Sequence, residues 1–459
     1  MTVDILPDDA LLEIFSFYLV GASHCAEPWL YLVHVCRRWR SIVFASQRRL
    51  AVRVFYTPIR QVKAMLEIWP NLPIQISARR GYEFLSWPND YNLIAALEQT
   101  DRICEIHLHG FSSLELDRIL PAMQKPFPAL TSLTIESSSY YTPGAMAVLP
   151  QAFLGGSAQH LRSCILWAVE FPEILLTATH LVTLRLWHVP HSMHTSPEGM
   201  ATCFSTMPNL ESLFLGFLSP QSLHNWPDQP NRLLSPLTRV VLPSLTEFKF
   251  QFLSEYIEDF VSRIDVPLLD KFDITFIDQP KFDTPRLHDF LARIEKVKAD
   301  GRGCVKFGLS SIEFGFEFGS LSFKLVILCG LGRQISSMAQ FCGSSSHLPS
   351  ALTRLDIVQG FISNLQHRDE LENTQWLDLL HPFTGLKDLR LGKRFVLHHA
   401  LAVRELAGGR VTEVLPVLQN LFIEGLEPSG PIQEALAQFV AARQLSGLPV
   451  VVHSWNGWS

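Results

Sequence analysis

One short pattern recurs through most of the chain: an apolar residue, a second three positions later, and a third two positions after that. It occurs at Ile103-Ile106-Leu108, Leu130-Leu133-Ile135, Leu161-Cys164-Leu166, Leu181-Leu184-Leu186, Leu210-Leu213-Leu215, Leu245-Phe248-Phe250 and Leu269-Phe272-Ile274. After a gap it returns at Leu352-Leu355-Ile357, Leu386-Leu389-Leu391 and Leu418-Leu421-Ile423. The last two apolar positions of each unit share one face of a strand, and the first anchors the approach to it. A unit this short cannot bury that face alone. Stacked neighbours can, at about 1.5–3 kcal/mol per large side chain. In five units a proline stands two residues ahead of the first apolar position: Pro128, Pro208, Pro243, Pro267 and Pro416. Proline donates nothing to a ladder but fits where a connection ends and a strand starts. One such match in a leucine-rich chain means nothing; ten, half with the same proline, constrain the fold.

The pattern resembles the leucine-rich repeat, which implies an α/β solenoid over residues 101–459. The units lie about 20 to 35 residues apart, irregular and often longer than usual. The asparagine that normally follows the motif is mostly absent. The resemblance therefore implies an irregular horseshoe whose curvature is left open. Residues 275–350 break the pattern. Thr284 to Lys298 reads as a helix with Leu287, Phe290, Leu291, Ile294 and Val297 on one stripe, and Val305–Leu309, Ile312–Phe318 and Leu321–Leu328 read as three successive strands. Gln334 to Phe341 fits a short helix. This stretch is expected to be one or two degenerate repeats with elaborated strands, a small inserted domain being the alternative.

Ahead of the repeats, Leu6 to Val43 has another character: LPDDALLEIFSFYL, a short insert, then WLYLVHVCRRWRSIV. Pro7 suits a first helical position, and Asp8, Asp9 and Glu13 suit the positive helix end. Leu11, Leu12, Ile14, Phe15 and Tyr18 follow at helical spacing, more apolar surface than so short a helix can bury alone. An ordinary N-terminal core helix is one reading. The order Leu6-Pro7, Leu12-Glu13-Ile14-Phe15, Leu32 and Val35-Cys36-Arg37-Arg38-Trp39 resembles the F-box motif over about the first 45 residues. That resemblance implies a three-helix module at 1–45 that docks on the Skp adaptor of a Skp–cullin–F-box ubiquitin ligase. By position it assigns adaptor binding to Leu6, Pro7, Leu12, Ile14, Phe15, Val35, Cys36 and Trp39. The link Val20 to Pro28 departs from the family in being longer and more polar.

Residues 46–100 read as a linker or N-terminal cap of the solenoid, broken by Pro58, Pro70, Pro73 and Pro88, with strands at Ala51–Phe55 and Ile74–Ser77 and a helix at Tyr91–Gln99. At the far end Pro431 opens a helix with Ile432, Leu436, Phe439 and Val440 inward, Gly447 stops it, and Val450–His453 forms a last strand. Thr374-Gln375-Trp376-Leu377, Leu406-Ala407-Gly408-Gly409-Arg410, Glu413-Val414-Leu415-Pro416 and Ser446-Gly447 are similar to a large group of basidiomycete fungal F-box proteins. They support kinship and carry no assigned chemistry.

Composition narrows the function. A chain of 459 residues, 47% hydrophobic, is neither disordered nor too small for several domains or one long array. A formal net charge of −6 opposes nucleic-acid binding driven by overall positive charge. The basic run Arg37, Arg38, Arg40, Arg48, Arg49 and Arg53 reads as a solvated helix face; the family resemblance would turn it toward an acidic adaptor. Cys25, Cys36, Cys104, Cys164, Cys203, Cys304, Cys329 and Cys342 form no CxxC pair and read as small buried hydrophobes in a reducing compartment. Asp4 makes the N-terminus unlike a secretory signal, and the longest apolar run, Leu325–Leu331, is too short to span a bilayer. An intracellular location, in cytoplasm or nucleus, is the expectation.

No phosphate-cradling loop, GxSxG elbow or HExxH is present. His188, His191 and His194 lie three apart, but Pro190 breaks any helix and no carboxylate or cysteine stands at ligand spacing. His398-His399 and Asp8-Asp9 call for no chemistry. No cofactor, no metal and no catalytic residue are expected, so function means binding. Between the apolar anchors, His107, Thr134, Ile165, Arg185, Phe214, Lys249, Asp273, Asp356, Arg390 and Phe422 point away from the core onto the concave face. One step earlier come Glu105, Ser132, Thr183, Ser212, Glu247, Lys271, Arg354, Asp388 and Asn420. Substrate contacts are expected at Arg185, Phe214, Lys249, Asp273, Asp356, Arg390 and Phe422. Phe214 and Phe422 look exposed and suit a protein interface, with packing under a loop as the other reading. Two functions fit: the substrate-recognition subunit of a Skp–cullin–F-box ligase, or a leucine-rich-repeat interaction scaffold with no ligase role.

Overall fold

The five repeats that carry the recurring proline begin with the same turn. Leu130, Leu210, Leu245, Leu269 and Leu418 donate their amides to the carbonyls of Phe127, Met207, Leu242, Val266 and Leu415, three residues back. Pro128, Pro208, Pro243, Pro267 and Pro416 occupy the second position of these turns, where a fixed φ near −65° is favoured. The recurring proline thus presets a β-turn that aims the chain into its strand. After the turn, backbone amides tie repeat to repeat: Thr131 donates to Cys104, Val182 to Arg162, Thr246 to Glu211, Asp270 to Thr246, Gln419 to Lys387 and Val451 to Gln419, with the Thr131 and Thr246 hydroxyls adding to the same carbonyls.

The structure is a computed structural model that describes residues 5–21, 28–46, 50, 54–55, 72–80, 90–138, 147–169, 173–189, 197–217, 239–277, 279, 282–294, 301–344, 347–359, 375–393, 413–425 and 431–455. The chain divides into two compact units, Met1–Met193 and His194–Ser459. The links at 22–27 and 406–410, and His191, His194, His398, His399, Arg48, Arg49 and Arg53, lie outside the described residues or carry no described side chain.

The first unit opens with helices α1 (Asp8–Gly21), α2 (Trp29–Val35) and α3 (Arg37–Ala45). Strands β1 (Val54–Phe55), β2 (Ile74–Arg79), β3 (Ile103–Phe111), β4 (Ser132–Ser137), β5 (Ser163–Trp167) and β6 (Thr183–Val189) follow, all parallel and in chain order. Helix α4 (Asp90–Leu97) joins β2 to β3, and α5 (Ser113–Ile119), started by a Ser112/Glu115 capping box, leads on from β3. The repeat's apolar positions stack in register: Ile76, Ile106, Leu133, Cys164 and Leu184 in one row, Ala78, Leu108, Ile135, Leu166 and Leu186 in the next. All ten are buried.

In the second unit helix α6 (Pro197–Ser205) precedes β7 (Ser212–Phe217), and a small parallel pair, β8 (Val240–Val241) and β10 (Ile264–Asp265), brackets β9 (Glu247–Phe252) and α7 (Ser254–Val261) in sequence. Strand β11 (Lys271–Ile277) and helix α8 (Pro285–Arg293) come next, then β12 (Gly301–Phe307), β13 (Ser311–Phe318) and β14 (Leu321–Leu328). Helices α9 (Gln334–Gly343) and α10 (His347–Ser350) lead to β15 (Leu352–Gln359), α11 (Gln375–Leu380), β16 (Asp388–Leu391), β17 (Asn420–Glu424), α12 (Pro431–Leu445) and β18 (Val451–Trp455). Within this unit the main sheet runs β7-β9-β11-β14-β13-β12-β15-β16-β17-β18.

The stretch that breaks the repeat pattern is part of this sheet. Strand β14 pairs parallel with β11 and β12 parallel with β15, while β12, β13 and β14 form an antiparallel meander. The chain crosses to the β15 side first and returns. Elaborated strands thus continue the repeat sheet. Phenylalanine takes the place of leucine in the core here: Phe248 of β9 stacks on Phe272 of β11 at 5.1 Å, and within the meander Phe316 stacks on Phe323 at 4.5 Å. Glycine makes room for the side chains packed against β12. A Cβ on Gly303 would meet Leu352 Cδ1 at 2.8 Å, and one on Gly301 would run into the Phe318 ring.

Helix α12 closes the end. Leu436 and Phe439 are buried as expected; the Ile432 side chain is not described and Val440 is half-buried. Gly447, at φ 75°, terminates the helix with Leu448 donating to Arg443. The buried Arg443 guanidinium donates to the carbonyls of Leu448 and Leu418, tying the cap to the last repeat turn. The helix expected over Thr284–Lys298 is shorter, ending at Arg293, because Ile294 turns extended (ψ 110°).

Candidate interaction surfaces

The N-terminal helices have a core of their own. Leu11, Leu12, Phe15, Trp29, Leu32, Val33, Ile42 and Val43 are buried together with Leu50 and Leu72, and Leu6 and Trp39 lean against them. The Trp39 ring lies 4.7 Å from that of Phe15. Arg38 bridges the start of α1, donating to the Leu6 carbonyl and to Asp8 Oδ1, each at 2.6 Å. Cys36 caps α3: its Sγ accepts from the Trp39 amide at 3.5 Å. Arg40 Nε donates to the Val33 carbonyl at 3.0 Å, so this part of the basic run fastens α3 to α2.

These contacts sort the eight residues expected to bind an adaptor. Leu12 and Phe15 are sealed inside, while Leu6, Cys36 and Trp39 are half-buried and build the module. Pro7, Ile14 and Val35 face out, the last two 48% and 59% exposed. Exposed as well are Ile5, Phe17 and Tyr31, which sequence reasoning passed over, and Tyr18, which it counted in the apolar series without assigning it to a surface. The signal was available. Ile14, Phe17 and Tyr18 are spaced i, i+3, i+4, a second apolar stripe on α1 behind the one that Leu11, Leu12 and Phe15 bury. Among the described residues nothing covers this stripe, and uncovered apolar stripes commonly serve as contact surfaces.

In the first unit, the outward face of the sheet carries Ser77, His107, Thr134, Ile165 and Arg185 in one register row. Arg185 is exposed, whereas Thr134 is buried, its Oγ1 3.1 Å from His107 Nδ1. One step further along the strands, His109 pairs with Glu136 at 2.9 Å and Trp167 stacks on Trp187 at 5.0 Å and 13°. Both tryptophans follow directly on the last apolar position of their repeat, and reading each strand one residue longer would have found them.

In the second unit the corresponding row runs Phe214, Lys249, Asp273, Lys324, Gly315, Cys304, Asp356, Arg390, Phe422 and His453. The structure gathers Lys249 with Asp273, and Asp356 with Arg390 and Phe422, and spaces the two groups apart by the meander. Phe214, expected to be exposed, is 7% exposed: it sits at the first strand of the row and is covered. Asp356 is equally buried, clasped by Arg354 through two 3.2 Å contacts.

The charges on this face largely satisfy one another. Glu247 takes Lys249 at 3.0 Å, Lys271 at 3.3 Å and the Ser212 hydroxyl at 2.9 Å, while Lys249 also approaches Asp273 at 3.7 Å. Burial alone would raise the Glu247 carboxyl, but hydrogen bonds from Lys249, Ser212 and Lys271 outweigh it and hold its pKa down at about 2. Lys324 pairs with Glu313 at 3.1 Å, and Asn420 donates to Asp388 at 2.8 Å. A partner therefore meets little net charge here, and exposed pairs of this kind contribute little on their own. Aromatic surface is the stronger recognition feature. It gathers at the last strands, where Phe422 stacks on His453 at 4.8 Å and the Arg390 guanidinium lies over Phe422 at 4.9 Å and over Trp455 at 5.5 Å. Sequence reasoning missed His453 and Trp455 as site residues because β18 lacks the repeat pattern.

No family model matches the chain, and no curated protein matches it. Among solved structures, the chain is similar to the crystal structure of the leucine-rich repeat-containing protein LegL7 from Legionella pneumophila. The two share 14% identity over 87% of this chain and 98% of that one, with a TM-score of 0.26. Among the described residues no helix is long and apolar enough to cross a membrane.

Proposed function

We propose that this chain is the substrate-recognition subunit of a Skp–cullin–F-box ubiquitin ligase. The N-terminal helices bind the Skp adaptor, and through it the cullin, while the repeat strands hold a protein substrate. Ubiquitin transfer belongs to other subunits, and this chain supplies proximity. One observation carries the reading: Ile14, Phe17, Tyr18, Tyr31 and Val35 stay exposed on helices whose own core is already complete. A cap that served only to close the repeats would turn such residues inward. The Leu-Pro and Cys-Arg-Arg-Trp segments supply the scaffold that presents them.

Affinity purification with mass spectrometry tests this on the full chain, comparing it with an Ile14→Asp/Phe17→Asp variant and with Phe422→Ala on the strand face. Adaptor and cullin should vanish from the first variant while client proteins remain, and clients should fall in the second while adaptor remains. A chain that recovers clients but no adaptor or cullin in any form is a repeat-based scaffold with no ligase role.

A further inference from the structure

On the outward face of β15, β16 and β17, Arg390 differs from Arg354. Arg354 spends Nε and Nη2 on the Asp356 carboxylate. Among the described residues Arg390 donates no hydrogen bond, and its Nε is buried without a partner there. The nearest carboxylate oxygen, Asp356 Oδ1, is 3.9 Å away and already accepts from Arg354. The Phe422 and Trp455 rings hold the guanidinium in place, and its side chain is 26% exposed. A preset planar donor fork with unused N–H groups, open at the rim and flanked by rings, is a built receptor for a planar anion.

We propose that Arg390 binds a side-chain carboxylate of the protein held on this face, while Phe422 and Trp455 take an apolar group beside that carboxylate. This rests on reading the strand face as the partner-holding surface. The local charge selects a carboxylate over a phosphoryl group. Asp356, Asp388 and Glu424 belong to the same three strands' face, Arg354 is spent on Asp356, and Asn420 is spent on Asp388. With Arg354 committed, Arg390 is the arginine left uncommitted among the described residues of these three strands, and one cation among fixed carboxylates suits a monoanion, since a dianion would meet stronger repulsion.

The test uses the full chain labelled with 5-fluorotryptophan, the Trp455 fluorine resonance being assigned from Trp455→Phe. The probes are 3-phenylpropionate, its neutral amide 3-phenylpropionamide, and phenyl phosphate. Phenylpropionate should shift the Trp455 signal saturably, and the amide should bind about tenfold more weakly or worse, as expected for loss of a charge-assisted hydrogen bond. Phenyl phosphate should bind more weakly than the carboxylate. Arg390→Gln should lose the response, and Arg390→Lys, which keeps charge and stem, should lose most of it because the fork is gone. An unsaturable shift, an unchanged response in natively melting Arg390→Gln, or tighter binding of phenyl phosphate would overturn the assignment. The titration needs no client, so its failure leaves the client-capture comparison at Phe422 standing, and a failure of client capture leaves the carboxylate site standing.

Discussion

Two phenylalanines two residues apart on α1 should respond to truncation in opposite ways. Phe15 is fully buried in the module core, and Phe17 is 78% exposed. Phe15→Ala removes a packed ring and leaves a cavity, at a cost of about 3–5 kcal/mol. In a domain of this size that is a large drop in melting temperature. Phe17→Ala removes a side chain that touches mainly water, so the melting temperature should hold, since surface changes stay within about 0.5 kcal/mol. Toward the adaptor the order reverses. Covering most of an exposed phenylalanine contributes about 2 kcal/mol, so Phe17→Ala should weaken adaptor affinity about 30-fold. The assay pairs a thermal melt with calorimetric titration of purified adaptor into each variant. Equal losses of stability in both variants, or full adaptor affinity in Phe17→Ala, would refute the division of α1 into a structural and a docking face.

Stability against pH should show two opposed slopes in the second unit. Burial pushes the His288 imidazole down to about 4, although its Nε2–H donates to the Phe341 carbonyl at 3.2 Å. Because that pKa is depressed, its contribution is complete above about pH 6.5 and is lost as pH falls toward 4. Burial also pushes the Glu258 carboxyl up to about 7, against the Arg286 and Leu287 amides that it accepts at the start of α8. A raised acid does the reverse, and stability falls as pH rises from about 4.5 to 7. His288→Gln, which still donates, should therefore melt lower as pH rises through that window, while Glu258→Gln should melt lower as pH falls below 6.5; melting profiles parallel to the unaltered chain contradict this. Gly303→Val should cost about 1–3 kcal/mol by driving a side chain into Leu352, read as a lowered denaturation midpoint with a near-native circular dichroism spectrum. Pro243→Ala should cost about 0.4–1 kcal/mol by loosening the unfolded chain at a position that its turn already suits, and no change in midpoint would remove the turn explanation of the recurring proline.

The strands were legible because their signal is local and repeated. Every apolar triplet read from the sequence lies on a strand or its approach, and the paired positions align in register. The proline pointed to the strand start, but its role as the second residue of a turn needed the carbonyl three residues before the leucine. The meander was legible as three strands and not as an excursion that reverses order, since pairing between distant strands leaves no mark in spacing. On α1, periodicity found the apolar residues without saying which stripe faces in. Leu12 and Phe15 are core, and Ile14 and Phe17 are surface, because α2 and α3 cover one side only. The Arg390 cluster could not be read, since Trp455 belongs to a strand outside the pattern and Phe214 resembles Phe422 in sequence but not in burial.

The reading of the N-terminal helices is tested most directly by hydroxyl-radical footprinting of Phe17, Tyr18 and Tyr31 in the full chain, alone and with a Skp adaptor. All three should be oxidised readily in the free chain and protected in the complex, while buried Phe15 stays unreactive in both. Unchanged oxidation of Phe17 and Tyr31 in the presence of adaptor, or their protection in the free chain, would contradict it.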